Sequence, residues 1–155
     1  MNISMSIRMS KEDKRKSRIL ALQVLYAQQI SENSIEMLLE HLRSDIDTDG
    51  VMDYANRLSH LTIEKQEDLD LFIIENAHNW DFNRISLIDK LVLRLSIAEM
   101  IYEESVPPKV SIVEGVEIAK EFGTEKSGGF VNGILDSIYN KLFTDNIEDL
   151  ASGSD

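Results

Sequence analysis

Cysteine is absent from this chain of 155 residues, proline occurs twice and glycine seven times, and aromatic side chains make up 6%. Without cysteine there is no disulfide framework, no cysteine-ligated zinc or iron–sulfur cluster and no thiolate nucleophile. No apolar run reaches the roughly 18 residues of a membrane span, and Met1–Ser10 lacks the apolar segment of a secretory signal. These absences exclude a stapled secreted scaffold and indicate a cytoplasmic protein with no membrane contact.

The scarcity of glycine and proline also bears on fold class. Neither residue occurs in stretches 1–49 and 51–106, whereas a sheet protein with many tight turns needs them. The length and the 43% hydrophobic content suit one compact domain with a sizeable core. We therefore predict a single all-α domain.

Apolar spacing places the helices. We expect a nearly all-apolar, buried helix from the Ser10 N-cap and a short helix from about Ser34 with Leu42 on its buried face. The segment Val51–Ala77 forms either one helix or two helices separated near Lys65. A further helix follows the Ser86 cap, and the last begins near Ser127. The segment His78–Arg84 is predicted to be a short turn that packs Trp80 and Phe82 into the core. Pro107–Pro108 should end the Ser86 helix, and the capping box Ser111-x-x-Glu114 should start the next, which Gly123 stops.

Charge is distributed unevenly along the chain. The net charge of −12 argues against a general nucleic-acid binder, whose surface is basic. However, the segment 8–18 contains six basic residues opposed only by Glu12 and Asp13, while acidic residues gather in 32–53 and in the tail. This asymmetry indicates one local anion site rather than a generally sticky surface.

Catalytic and metal-binding patterns are missing from the sequence. His41, His60 and His78 are widely separated and form no H-x-x-x-H or H-E-x-x-H pair. Gly128-Gly129 with Gly133 resembles a phosphate loop only superficially, because no strand–helix–strand context surrounds it. We predict no enzymatic activity, no metal, no cofactor and no small-molecule substrate.

Two segments differ from ordinary packing patterns. The first is the basic start of the first helix, containing Lys14, Arg15, Lys16 and Arg18, which either contacts phosphates or only improves solubility. The second is Ser127–Gly133, where glycines flank Phe130 at a helix start. Its ring either packs in the core or stacks on a ligand. Cations with an aromatic ring are the usual chemistry of single-stranded RNA recognition.

Four blocks in one order resemble a known family. They are Ala-Leu-Gln-Val-Leu-Tyr at 21–26, Asp-Lys-Leu-Val-Leu-Arg at 89–94 leading to Ala98-Glu99, Pro-Lys-Val-Ser-Ile at 108–112 with the helix that ends in Phe122-Gly123, and Phe-Val-Asn-Gly-Ile-Leu-Asp at 130–136. Together they resemble the NusB transcription antitermination factor family over about Lys14–Leu142. The last block is the most specific of the four.

The resemblance implies a compact helical domain of about six or seven helices in two small bundles. It also implies a factor that binds boxA single-stranded RNA of nascent transcripts, notably of ribosomal RNA operons. The partner would be the small-subunit ribosomal protein also called NusE, within the RNA polymerase antitermination complex. The alternative is a helical protein-interaction adaptor with little RNA affinity, which the negative net charge favours.

The resemblance also implies roles for single residues. The RNA-binding set is Lys14, Arg15, Lys16, Arg18, Lys126, Phe130 and Asn132. Asn132 lies either beside Phe130 or in a local turn. Lys126 stands where many relatives have an acidic residue. Tyr26 and Asp89 match positions on the protein-binding side. Arg94 and Glu99 form a buried ion pair, with each other or with other residues, or else they contact a binding partner.

The expected organisation has three parts. Residues 1–10 are predicted to be a flexible N-terminal extension, residues 11–143 the RNA-binding helical domain, and residues 144–155 a disordered acidic tail.

Overall fold

The computed structural model describes residues 9–43 and 48–144. Its helices are α1 (Lys11–Ile30), α2 (Ile35–Leu42), α3 (Asp49–Glu64), α4 (Gln66–Asn76), α5 (Leu87–Tyr102), α6 (Pro108–Phe122) and α7 (Ser127–Tyr139), with a 3-10 turn at Phe82–Arg84 and a π-helical turn at Asn140–Thr144. No strand occurs within these described stretches, and the all-α prediction is confirmed. Most of the predicted N-terminal extension 1–10 and nearly all of the tail 144–155 lie outside the described residues.

The chain divides into two compact units, Met1–Ile63 and Glu64–Asp155. In the first unit, α1, α2 and α3 share a core made of Leu20, Val24, Ile35, Leu38, Leu39, Val51 and Ala55. Ser10 and Ser34 cap α1 and α2 by accepting hydrogen bonds from backbone N–H groups three residues ahead. The buried Ser17 hydroxyl donates to the carbonyl of Val51 at 3.0 Å, which ties the start of α1 to the start of α3.

Helix α5 is the central element of the second unit. Every residue from Leu91 to Met100 is buried, including the polar residues Arg94, Ser96 and Glu99. It packs against α4, α6 and α7. A Cβ atom on Gly115 of α6 would collide with the Ser96 hydroxyl, so glycine is what permits α6 to approach α5 this closely.

Two buried polar side chains of α5 are paired with residues of other helices. Arg94 of α5 binds Asp70 of α4 through two parallel hydrogen bonds of 2.7 and 3.1 Å. Glu99 accepts a 2.8 Å hydrogen bond from the hydroxyl of Ser111 on α6. Arg94 thus forms its ion pair with Asp70 and not with Glu99.

The predicted start of α6 is wrong. The helix begins at Pro108, with Pro107 as N-cap, so Ser111 and Glu114 lie inside it and are buried. Proline is well suited to the first helical position because its fixed φ is already helical and its missing N–H is not needed there. The preceding helix α5 ends at Tyr102, before either proline.

The structure corrects two other details and decides a third that the sequence left open. Trp80 is 57% exposed rather than packed in the core, because the turn after α4 carries it outward. Leu42 and Tyr26, about 40% exposed, lie at the edges of their helices rather than on a buried face. The undecided region 51–77 is two helices, separated at Lys65.

Candidate functional site

The basic start of α1 presents cations from the first unit. Arg15 and Lys16 are exposed and Lys14 is half-buried. Arg18 is only 4% exposed, because it lies on the same side of the helix as the core residues that follow it. Lys11, one turn before Arg15, is also exposed, whereas Arg18 is not at the surface.

The start of α7 presents the Phe130 block from the second unit. The Phe130 ring is half-buried and meets the ring of Trp80 edge-to-face, with 4.9 Å between centroids. Phe130 is therefore neither a fully buried core residue nor a freely exposed one. The contact joins α7 to the turn that follows α4.

The other residues of this block differ in whether they share the helix face of Phe130. Lys126 is exposed at the N-cap of α7, one helical turn before Phe130. Asn132 is exposed within α7 rather than in a turn. Because residues two apart point to different sides of a helix, Asn132 does not share the Phe130 face. That face continues instead through Gly129 and Gly133, where an added Cβ would meet nothing within 4 Å.

Tyr26 and Asp89 lie on different units. Tyr26 is 40% exposed near the end of α1. Asp89 lies in the first turn of α5, where its backbone N–H donates to Ser86 Oγ. Its Oδ1 atom is buried and has no hydrogen-bond partner among the described residues. A buried carboxylate oxygen without a hydrogen-bond partner is costly.

The exposure of Trp80 was not predicted from the sequence. Trp80 was predicted to be a core aromatic, since tryptophan near helical segments usually packs inward. The available signal was its flanks: His78, Asn79 and Asp81 are all polar, which is typical of a surface turn.

Metal centres and membrane spans do not emerge from the structure. Among the described residues no group of three or more histidine, aspartate or glutamate side chains is arranged to hold a metal ion. No helix in those same stretches is long and apolar enough to cross a bilayer.

Comparison with known proteins decides the family. The model of the NusB family matches residues 15–140. The chain belongs to the NusB family. This result confirms the resemblance read from the four sequence blocks, and Arg15 and Phe130 both lie within the matched region.

Relatives and solved structures agree with this family. The chain is 41% identical over 131 residues to a transcription antitermination protein NusB from Chloroherpeton thalassium, which covers 83% of this chain and 62% of the relative. The structure matches T. maritima NusB with a TM-score of 0.75 at 32% identity, covering 85% of this chain and 92% of the other. It matches a chain in a complex of antitermination factors NusB and NusE with double-stranded RNA at a TM-score of 0.75 and 25% identity, covering 85% and 99%.

The matched part spans less than two thirds of the length of the Chloroherpeton NusB. The comparison therefore shows the family of this chain, and the activity and partners of the whole relative are considered separately below.

Proposed function

We propose that this chain is a transcription antitermination factor that binds boxA-like single-stranded RNA in nascent transcripts, notably of ribosomal RNA operons. It does so in the cytoplasm together with a NusE-type ribosomal protein, within an RNA polymerase antitermination complex, and it performs no catalysis. The observation that carries the proposal is the 41% identity to a transcription antitermination protein over 131 residues. The NusB–NusE complex with RNA among its structural neighbours supports the choice of partners.

The RNA contacts that we propose combine charge with an aromatic ring. Lys14, Arg15 and Lys16 supply cations at the exposed start of α1, and Lys126 supplies one at the start of α7. Phe130 offers part of its ring to an unpaired base, since only unstacked bases expose their faces. Asn132 contributes from a neighbouring side of α7. Arg18 is buried, so it would contact RNA only after the start of α1 had moved away from the core.

The partner-protein contacts that we propose involve Tyr26 and Asp89. The half-buried carboxylate of Asp89, in the first turn of α5, would accept a hydrogen bond from a donor of the ribosomal protein. The exposed Tyr26 ring offers an amphipathic contact of the kind enriched at protein interfaces.

The second candidate function is a helical adaptor that binds the partner protein but has little affinity for RNA. The net charge of −12 favours it, because phosphate binding is opposed by a negative surface.

Fluorescence anisotropy of a labelled boxA-like RNA separates these two functions. The protein is titrated with and without the NusE-type protein, at low and near-physiological salt, against a scrambled single strand and a duplex of the same sequence. The antitermination function predicts salt-sensitive binding that tightens with the partner and prefers the boxA-like single strand. Partner binding without any RNA binding would establish the adaptor instead.

Asp89→Asn tests the protein contact separately. The amide keeps the size of the side chain and loses the charge, so we expect weaker partner binding with little change in RNA binding by the isolated chain. The exposed carboxylate of Glu75 on α4 provides the matched control, Glu75→Gln. Equal partner affinity for both variants would remove Asp89 from the interface.

A further inference from the structure

The turn after α4 places the only tryptophan of the chain on the surface. Trp80 is 57% exposed and its backbone N–H donates to the carbonyl of Ala77 at 3.1 Å. Its ring borders a cleft of about 270 Å³ that is also lined by Asn76, His78, Asn79, Phe130 and Gly133. The cleft thus combines two aromatic rings with polar side chains that donate and accept hydrogen bonds.

The charge of this cleft differs from that of other clefts in the described residues. None of its lining residues is acidic, although the chain has 28 acidic residues. The cleft beside Tyr102 includes Asp68 and Glu75, whereas the cleft beside Tyr139 contains Asp136 together with Lys109. The cleft between α2 and α3 includes three carboxylates, those of Glu36, Glu40 and Asp53. A polyanion is repelled from the two clefts whose charged residues are all carboxylates and not from the one beside Trp80.

The two rings are also held in place before any ligand arrives. Asn76 at the end of α4 accepts a 2.7 Å hydrogen bond from Ser137 of α7 and donates a 2.8 Å bond to the carbonyl of Phe72. These bonds fix the turn that carries Trp80 against the helix that carries Phe130. The edge-to-face contact at 4.9 Å leaves most of the indole surface open. A rigid platform binds with less loss of conformational entropy than a mobile one.

Access along α7 is open on the same side. Gly129 and Gly133 flank Phe130, and a Cβ at either would meet nothing within 4 Å. The absence of side chains at both positions leaves room for a planar group to reach the two rings.

We propose that Trp80 is a base-stacking residue, and that the cleft between Trp80 and Phe130 accepts one unstacked nucleobase of the bound RNA. The inference rests on the proposed RNA-binding function and extends it by a residue outside the predicted set. The indole provides the stacking surface, the ring of Phe130 supports it, and the polar side chains of Asn79 and His78 line the same cleft. Base–aromatic stacking tolerates every base, so Trp80 adds affinity rather than sequence preference.

The test uses the single tryptophan as its own probe. The chain is produced with 5-fluorotryptophan, so that its ¹⁹F NMR signal reports on Trp80 alone, and is titrated first with the unlabelled NusE-type protein and then with the boxA-like RNA. We expect the signal to shift on addition of RNA. In parallel anisotropy titrations, Trp80→Ala should weaken RNA binding about 5- to 100-fold, as expected for one lost stack, and Trp80→Phe should restore part of it.

Tyr102→Ala is the matched control, because Tyr102 is an exposed aromatic residue beside carboxylates. It should bind RNA like the unmodified chain, and circular dichroism should give the same helical signal for all variants. RNA binding that leaves both the ¹⁹F signal and the Trp80→Ala affinity unchanged would overturn the stacking role alone. A shift produced by the partner protein and not by RNA would assign Trp80 to a protein contact instead. Absence of RNA binding by the unmodified chain would remove the proposed function and this inference together.

Discussion

Arg94 and Asp70 form a two-point ion pair between α5 and α4, with 2.7 Å between Arg94 Nε and Asp70 Oδ1. The arginine side chain is 8% exposed and the aspartate side chain 20%. The guanidinium therefore lies among apolar residues of the second unit, where water cannot replace its partner. Two parallel bonds also fix the relative orientation of the two helices.

Asp70→Asn should destabilise the protein by about 2–4 kcal/mol, because it leaves a buried guanidinium without its counter-charge. The lower part of that range applies because the carboxylate retains some contact with water. Chemical denaturation measures the change. The control Glu75→Gln, an exposed site on the same helix, should stay within about 0.5 kcal/mol of the unmodified chain. Replacing Arg94 by Met in the Asp70→Asn background should recover part of the loss, and a pair whose two losses simply add would contradict the coupling.

Gly115→Ala should destabilise the protein by about 1–3 kcal/mol through overpacking. The new methyl group would collide with the Ser96 hydroxyl and lie 3.1 Å from Leu135 Cδ1. Thermal unfolding followed by circular dichroism measures the loss. Adding Ser96→Ala removes the closest atom and should restore part of the stability. The tight approach of α5 and α6 would be refuted if Gly115→Ala unfolded at the same temperature as the unmodified chain.

Gly133→Ala is the opposite case on α7. The position is exposed and helical, with nothing near an added Cβ. Alanine should therefore stabilise the protein by about 0.5–1 kcal/mol, since glycine loses more backbone entropy in a helix. The same thermal unfolding experiment applies, and a lower melting temperature would show that the site is crowded.

Ser111→Ala should cost about 1.5–3 kcal/mol, because the buried Glu99 carboxylate loses a donor at 2.8 Å. As an N-cap, which the sequence predicted, the serine would interact with backbone and not with Glu99. A double-mutant cycle with Glu99→Gln distinguishes the two roles. We expect coupling above about 0.5 kcal/mol, whereas strictly additive losses would leave Ser111 without an energetic link to Glu99.

Removal of the charges at the start of α1 should lower the salt dependence of RNA binding. The triple variant Lys14→Gln, Arg15→Gln, Lys16→Gln should reduce the log–log salt slope by about 2, at about 0.7 for each single-strand phosphate contact. Anisotropy titrations at several salt concentrations give the slope. The exposed lysines Lys109, Lys120 and Lys141 of the second unit serve as the charge-matched control when all three are changed to Gln. Equal slopes for both variants would mean that the α1 cations only improve solubility.

The carboxyl group of Glu36 should make the stability of the fold depend on pH in the acid range. The hydrogen bond from its own backbone N–H, followed by the 2.7 Å bond with His60 Nε2, holds the pKa of Glu36 below its ordinary 4.5. A lowered pKa stabilises the fold above the ordinary value, and that contribution is lost as the pH falls through the folded-state pKa. Glu36→Gln should therefore lower the melting temperature slightly at pH 6 and match the unmodified chain well below pH 4. A difference that grew toward acid would reverse this assignment.

Predictions from the sequence were most accurate where the interaction is local. The caps at Ser10, Ser34 and Ser86 are each formed with a backbone N–H three residues ahead, so a short window contains the whole interaction. The capping box at Ser111 was equally plausible by that criterion. It failed because Pro108 starts the helix earlier and Glu99, from another helix, takes up the serine hydroxyl.

The candidate site was predictable only in part, because some of its features depend on contacts between segments that are distant in the sequence. The basic start and the Phe130 block are contiguous in sequence, and the block carries the family resemblance that the comparisons confirm. The burial of Arg18 and the exposure of Trp80 depend on which side of each segment faces the core. No pattern along the chain places Trp80 beside Phe130. Their roles in RNA binding, like those of Tyr26 and Asp89, stay predictions that the experiments above decide.

The sequence by itself determined the all-α class, the local helix caps and the family, because periodicity, capping and motif order are properties of neighbouring residues. Only the tertiary structure decided that Arg94 pairs with Asp70, that Gly115 makes room for Ser96 and that Trp80 stands open against Phe130. Each of these pairs joins residues far apart in the chain. Their contacts arise when helices pack, since close packing of side chains selects which distant groups meet.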